Sequence, residues 1–395
     1  MSTDVTPLPR SAVPTALVVE DDAGTRELVP TLRSRASWVA GVFLFSRVVT
    51  LAIASAIALT SKSQSLVDVL SRWDGGWYLA IARSGYSTPP HGVSGATTTS
   101  MAFFPGYPLA IRALSFLTML PPAVSGIVIS MAAGTGAAIL LWLLASRLED
   151  ARTADRTVIL FSVFPSSFVL SMVYADGLFI MLAAIVLLAM LEERWLVAGM
   201  AAGLATFVRP NAIVLAASLL WAATRAARRN HSWSPFVAPL LAPAGLVAYF
   251  AFLYFRTGSG LTFLRVQSRY WHQRFDLGIS NMHRVFDVIR GTAQVNGVYL
   301  IVLALAVIGT IAGGYFVVRW RPPAPIVLYL VGIVALAWLS SNTASVPRFL
   351  LGAFPVLIPV AKGLSRRVFV AVVVSSAICM VVLFAIVSVG NFLPA

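Results

Sequence analysis

The chain has 395 residues, of which 58% are hydrophobic and 11% charged, and a formal net charge of +14. Apolar runs near the ~20 residues that cross a bilayer as a helix recur along it, which excludes a soluble globular fold and points to an all-α polytopic membrane protein. The arginines are scattered between those runs, which excludes nucleic acid as a partner, and the single cysteine, Cys379, excludes an intrachain disulfide and a cysteine-based metal site.

In chain order, residues 1–35 are rich in Pro, Thr, Asp and Glu and read as a disordered cytoplasmic tail. Residues 36–395 read as one transmembrane domain. The first span, 37–60, is expected to act as a signal anchor, with Arg33 and Arg35 holding its start inside. A long outer loop, 61–122, follows, and the chain returns inward through 123–144. Arg147, Arg152 and Arg156 mark a cytoplasmic turn before spans near 157–174 and 177–191. A hairpin then rises through 195–207, turns at Arg209-Pro210-Asn211 and descends to Arg225, Arg228 and Arg229; the proline at the turn points to broken or half-length helices. A span near 236–255 leads to a second long loop, 256–297. The last spans are expected near 298–318, 324–340, 349–361 and 368–389, with Arg319, Arg321, Lys362, Arg366 and Arg367 at their inner ends. Hydropathy thus predicts about eleven crossings, with every compact basic turn and the N-terminus on the cytoplasmic side. No fixed-period repeat is present.

The first outer loop holds Ser71-Arg72-Trp73-Asp74-Gly75-Gly76-Trp77-Tyr78 and, further on, Phe103-Phe104-Pro105-Gly106-Tyr107-Pro108. On a helix Trp73, Trp77 and Ile81 form one apolar stripe, leaving Asp74 and Tyr78 on a neighbouring face toward water. Asp74 reads either as the N-cap of that helix or as a general base in a partly desolvated groove. Trp73, Trp77 and Tyr78 read as an interfacial belt or as a surface for stacking a sugar.

The second loop carries Arg256, Arg265, Arg269, Arg274, Arg284 and Arg290 against Asp276 and Asp287, although topology puts it outside. Arg265 and Arg269 share a helical face, with Gln267, Tyr270, Trp271 and His272 interleaved. They suit a solvated face, an anionic headgroup contact or a pocket for a lipid-linked phosphate. Asp176, Arg209 and Arg348 fall at outer ends of spans, where they either pair with one another or serve a ligand. His91, His231, His272 and His283 have no metal-ligand spacing, so no metal site is expected.

The run Trp73-Asp74, Trp77-Tyr78, Ile81-Ala82, Gly85-Tyr86, followed by Ala102 to Leu109, resembles the first outer loop of PIG-V-type mannosyltransferases. The likeness continues through Phe164 to Phe168, Tyr174 to Phe179, Val208 to Asn211, Phe263 to Gln267 with Trp271, and Pro347 to Phe349. Two departures stand out: Ala175-Asp176 replaces a common Thr-Glu, and Asn211 follows Arg-Pro where Thr is frequent. The resemblance implies a GT-C glycosyltransferase fold with its active site at the extracytoplasmic face. It implies a polyprenyl-phosphate-mannose donor and a glycolipid or glycan acceptor. By that analogy Asp74 deprotonates the acceptor hydroxyl, inversion follows, and arginines among Arg209, Arg265, Arg269 and Arg348 take the donor phosphate. Trp73, Trp77, Tyr78, Asp176, Gln267 and Trp271 would line the sugar and acceptor side. No cofactor is expected, because the leaving group is already a phosphate on a lipid. With Lys62 and Lys362 the only lysines beside many arginines, the composition suggests a GC-rich bacterial genome, hence a bacterial, actinobacterial-type plasma membrane and an envelope glycan. The competing expectation is a transporter or flippase for a lipid-linked phosphate or sugar, which would be built as two related halves.

Overall fold

The computed structural model describes residues 18–20, 26–28, 32–60, 64–86, 97–271, 273–292, 297–341 and 346–389. Of the expected disordered tail, the description covers two short strands, β1 (Val18–Glu20) and β2 (Arg26–Leu28), paired antiparallel. The rest of that tail up to residue 31, and with it the expectation of disorder, lies outside the described residues, as do His91 and His272. Beyond this pair and one bridge between Phe275 and Ser340, the described residues are helical or irregular.

Helix α1 (Leu32–Thr60) is the first of five helices long and apolar enough to cross a membrane. The short α2 (Leu66–Leu70) starts in a capping box: the Asp68 backbone N–H donates to the Ser65 hydroxyl at 3.2 Å, and the Ser65 backbone N–H donates to the Asp68 carboxylate at 2.8 Å. Then come α3 (Asp74–Ser84), α4 (Gly106–Thr118) and the second long helix, α5 (Pro122–Leu148), whose Pro122 occupies the first turn, where its missing N–H leaves no donor unpaired. Asp150 caps α6 (Ala151–Ser162) by accepting from the Thr153 N–H at 2.7 Å. Pro165 then stops the helix, and an irregular stretch with one 3-10 turn, Ser167–Ser171, leads to α7 (Asp176–Leu191).

Helices α8 (Trp195–Val208) and α9 (Val214–Asn230) are joined by a 3-10 turn at Pro210–Ile213, the broken hairpin that the proline forecast. A further apolar stretch, Ser234–Thr257, contains α10 (Val237–Leu241) and α11 (Ala244–Thr257). The second loop folds into α12 (Thr262–Tyr270) and α13 (Ile279–Ile289). The chain finishes with α14 (Gly297–Trp320), α15 (Ala324–Trp338), α16 (Val346–Leu351), α17 (Leu357–Gly363) and α18 (Arg366–Val389).

Eleven crossings are not what the helix lengths establish. Five stretches qualify by length and composition, whereas Asp176–Leu191, Trp195–Val208, Ala324–Trp338 and Phe354–Gly363 are apolar but shorter. The expected span 157–174 is α-helical only as far as Ser162 and then irregular with one 3-10 turn, because Pro165 removes a backbone donor and clashes with the preceding turn. Hydropathy reads such a stretch as continuous because it measures burial and not helix.

Most buried residues, from Val39 to Phe384, form one contiguous core. At one end of it the basic turns are tied together. Arg35 at the start of α1 pairs with Asp155 at 3.2 Å, Lys362 with Glu149 at 2.7 Å, and Arg147 with Glu192 at 3.0 Å. Arg156 donates to the carbonyls of Ala361 and Leu364 at 2.8 and 2.9 Å. Helix α7 runs toward this end, starting at Asp176 and finishing beside Glu192, a rise of about 24 Å at ~1.5 Å per residue. The opposite end of the bundle, where α7 begins, is where the acidic and basic motif residues meet.

Candidate active site

Asp74 is the first residue of α3, and the residue before it holds an unusual backbone. Trp73, the N-cap, has φ 60° and ψ −121° and makes no side-chain cap bond. A bulky residue at positive φ is strained by about 1–3 kcal/mol and persists only where its surroundings hold it. Those surroundings are the C-terminal turn of α18. The Trp73 indole Nε1–H donates to the Val387 carbonyl at 3.0 Å, and Arg72 Nη1 donates to the Ser388 carbonyl. On the other side Gly75 lies against the irregular segment before α7, where an added Cβ would meet the Val173 carbonyl oxygen at 3.3 Å. The Val173 N–H donates to the Leu70 carbonyl at 2.9 Å, closing the same contact.

The segment that presses on Gly75 also delivers Asp176. Arg209 Nη1 donates to Asp176 Oδ1, and Arg348 Nη1 donates to Asp74 Oδ2 at 2.6 Å while its Nε lies 3.7 Å from Asp176 Oδ1. Two carboxylates and two guanidiniums from α3, α7, the α8–α9 turn and α16 thus form one alternating chain. Asp176 and Arg209 are buried, with side chains 5% and 10% exposed, whereas Asp74 and Arg348 keep 20% and 22%. The second pair is therefore the one a ligand can reach. Arg348 Nε is buried with no hydrogen-bond partner among the described residues. Rings hold the cations in place: Arg348 lies 5.1 Å from the centroid of Tyr174 and 5.7 Å from that of Phe349, and Arg209 lies 5.4 Å from Phe349.

An aromatic wall stands beside this cluster. Trp77 stacks on Phe103 at 5.8 Å and meets Trp271 edge-on at 5.6 Å, while Tyr78 packs edge-on against Phe103 at 5.2 Å and Tyr107 at 5.0 Å. Trp271 Nε1 donates to the Thr99 carbonyl and Gln267 Nε2 to the Ala102 carbonyl, both at 3.4 Å. The segment from Trp77 to Phe103 and the end of α12 therefore meet here. Gly106 lets α4 close on the same point, since a Cβ there would lie 2.8 Å from the Phe207 carbonyl oxygen, beside Val208-Arg209. Burial, reinforced by the Asp74 charge, pushes the Tyr78 phenol above the ordinary tyrosine range, so it stays a neutral donor.

Several expectations are corrected. Helix α3 is not amphipathic toward water: Trp77, Tyr78 and Ile81 are all 5–6% exposed, because α4 and α5 cover both faces. Asp74 is not an N-cap; it sits in the first turn and its carboxylate is engaged by Arg348. The Trp73 indole turns to α18 and not to the Trp77 wall. Arg265 and Arg269 do not join Arg209 and Arg348, but lie exposed on the outer face of α12. Among the described residues no three His, Cys, Asp or Glu side chains group as metal ligands.

Sequence reasoning missed Arg47, which is fully buried in α1. Its guanidinium donates to the Ser162 carbonyl at 2.5 Å, to the Ser167 carbonyl and to Ser167 Oγ at 3.1 Å, and it lies 4.9 Å from the Phe43 ring centroid. It thereby staples the two ends of the break after α6. The signal was an arginine in mid-span, whose cost in an apolar setting always calls for a partner.

Residues 33–230 match the family described as Mannosyltransferase (PIG-V). That stretch contains Asp74, Asp176 and Arg209. No curated protein matches at a significant level. Among solved structures, ArnT from Cupriavidus metallidurans bound to undecaprenyl phosphate is similar, with a TM-score of 0.55 and 16% identity over 87% of this chain and 63% of that one. This chain thus spans less than two thirds of that structure. The Archaeoglobus fulgidus oligosaccharyltransferase in complex with zinc and sulfate aligns with a TM-score of 0.48 and 13% identity, over 90% of this chain and 54% of that one. The likeness to ArnT shows a shared fold.

Proposed function

Because the chain belongs to the PIG-V family of mannosyltransferases, we propose that it is an inverting enzyme that moves mannose from polyprenyl-phosphate-mannose to a glycolipid or glycan hydroxyl. The observation that carries this reading is the 2.6 Å contact between Asp74, in the family's first motif, and Arg348, brought from 274 residues away. A carboxylate and a guanidinium, both partly open, are what acceptor activation and departure of a phosphate need.

In this mechanism the donor phosphate competes with Asp74 for Arg348. Once Arg348 turns to the phosphate, the Asp74 carboxylate is free to take the proton of the acceptor hydroxyl. That oxygen attacks the anomeric carbon from the face opposite the phosphate. The C–O bond to polyprenyl phosphate breaks, and the charge that grows on the leaving phosphate is met by Arg348, which Asp176 and Arg209 hold in position. A β-linked donor gives an α-mannoside. Trp77, Tyr78, Gln267 and Trp271 form the wall against which the sugar and the acceptor lie, and Trp73 holds Asp74 at its angle.

In this proposal the site lies at the extracytoplasmic face of a bacterial plasma membrane, with the N-terminus cytoplasmic. The support is that the compact basic turns are joined at the end of the bundle opposite Asp74. The test is transfer by the purified chain in liposomes, with radiolabelled polyprenyl-phosphate-mannose and a native lipid extract. Label is expected in a new glycolipid or glycan; label that crosses the bilayer unchanged would make the protein a transporter and overturn the proposal.

A further inference from the structure

Helix α12 has two unlike faces. Inward it buries Phe263 and Val266 in the cluster of Phe104 and Tyr249, with Phe263 edge-on to Phe104 at 5.3 Å. Outward, Leu261, Leu264, Arg265, Ser268 and Arg269 line an open groove of about 510 Å³. Arg265 donates to Ser259 Oγ at 2.6 Å and Arg269 lies 5.8 Å from the Tyr270 ring centroid. Among the described residues neither arginine forms an ion pair. Two cations one helical turn apart, beside two leucines and facing no carboxylate, match a phosphate whose lipid tail follows the leucines.

The neighbouring helix says what surrounds the groove. In α13 the residues Ile279, Met282, Phe286 and Ile289 follow one another at helical spacing and are 47–73% exposed. Such a stripe costs free energy in water and gains it in the headgroup layer of a bilayer. The segment also begins directly after α11, at the end of a stretch apolar enough to cross the membrane, so the layer is within reach. Of the two local acids, Asp276 is taken up by the backbone N–H groups of Gly278 and Ser280, both at 3.1 Å.

We infer that α12 and α13 lie in the headgroup layer and that the α12 groove holds the phosphate of an anionic phospholipid through Arg265 and Arg269. A surrounding phospholipid fits better than the mannosyl donor, because the groove opens on the face of α12 turned away from Phe263 and Val266, whereas Arg348 stands beside Asp74. The bound lipid has a consequence for the wall of the site. Trp271, the residue directly after α12, packs on Trp77, so a lipid that seats α12 also steadies that wall.

The test uses the full chain in detergent, titrated with pyrene-labelled phosphatidylglycerol and, separately, pyrene-labelled phosphatidylcholine, with binding read by energy transfer from tryptophan. Wild type is expected to bind phosphatidylglycerol at least about tenfold more tightly, with affinity falling as salt rises. The Arg265→Gln/Arg269→Gln variant should lose roughly 30-fold in phosphatidylglycerol affinity, from ~1 kcal/mol per arginine, and the Lys/Lys variant should keep most of it. Equal affinity of wild type for the two lipids overturns the inference without need of any variant, and so does a Gln/Gln variant that melts like wild type and binds as tightly. Displacement of the probe by polyprenyl phosphate at lower concentration than by phosphatidylglycerol also overturns it, since the groove would then belong to the donor.

Discussion

Asp74 owes its position to residues far from it in sequence: Arg348 faces it, Val387 and Ser388 hold the turn before it, and Val173 packs behind it. Each of the four charged residues was visible in the sequence as an ionisable group in apolar surroundings, but their order in the chain says nothing of which pairs with which. The structure joins Asp74 to Arg348 and Asp176 to Arg209. Replacing Arg348 by Gln should lower kcat on the order of 10²-fold, as loss of one charge-stabilising donor does. Arg348→Lys should recover only part of it, since an ammonium cannot fork between carboxylate and phosphate. Equal kcat for Gln and wild type would remove Arg348 from the leaving-group side. Arg47 makes a different claim. Arg47→Ala removes the guanidinium donors from the Ser162 and Ser167 carbonyls and opens a cavity, a loss of about 2–5 kcal/mol. Thermal unfolding of the purified variant should show it as a clear drop in Tm, and an unchanged Tm would contradict the staple.

At the scale of elements, the long helices were legible because a bilayer demands an apolar run of fixed length, and α1, α5, α14 and α18 begin and end within a few residues of the expected spans. Of the broken ones, the hairpin at Pro210 was legible from its proline, and the stretch around Pro165 only as apolar. Hydropathy alone is blind to where Pro165 interrupts the hydrogen-bond ladder, and the two interruptions are what carry Asp176 and Arg209 to the site. Close packing of α8 on α11 sets the position of Arg209. A Cβ on Gly245 would fall 2.3 Å from the Gly203 carbonyl oxygen and from the Phe207 nitrogen, both backbone atoms. Gly245→Ala therefore has no flexible neighbour to displace and should destabilise by about 1–3 kcal/mol. Because Phe207 lies two residues before Arg209, the variant should also lose activity beyond its loss of folded protein, measured as kcat per folded molecule. Full activity at lowered Tm would show that α8 relaxes without moving Arg209.

Across the whole molecule the charges are sorted to two ends. One end gathers Arg35, Glu149, Asp155, Arg156, Glu192 and Lys362 in surface pairs and caps; the other gathers Asp74, Asp176, Arg209 and Arg348. The family motifs in the sequence anticipated the second group, and arginine placement anticipated the first, so the sorting of the two groups to opposite ends was legible before the fold. The division of the four arginines was not, because an arginine on a basic loop and one at a helix break look alike until burial separates them.

The measurement that bears most directly on this account is the rate of mannosyl transfer by Asp74→Asn against wild type, in liposomes, with melting temperatures taken on the same preparations. Asn keeps the size of the side chain and a hydrogen-bonding oxygen toward Arg348 but cannot take a proton. The account predicts a folded variant that binds donor and is slower by about 10²–10⁴. A folded Asp74→Asn chain that transfers mannose at the wild-type rate would contradict it.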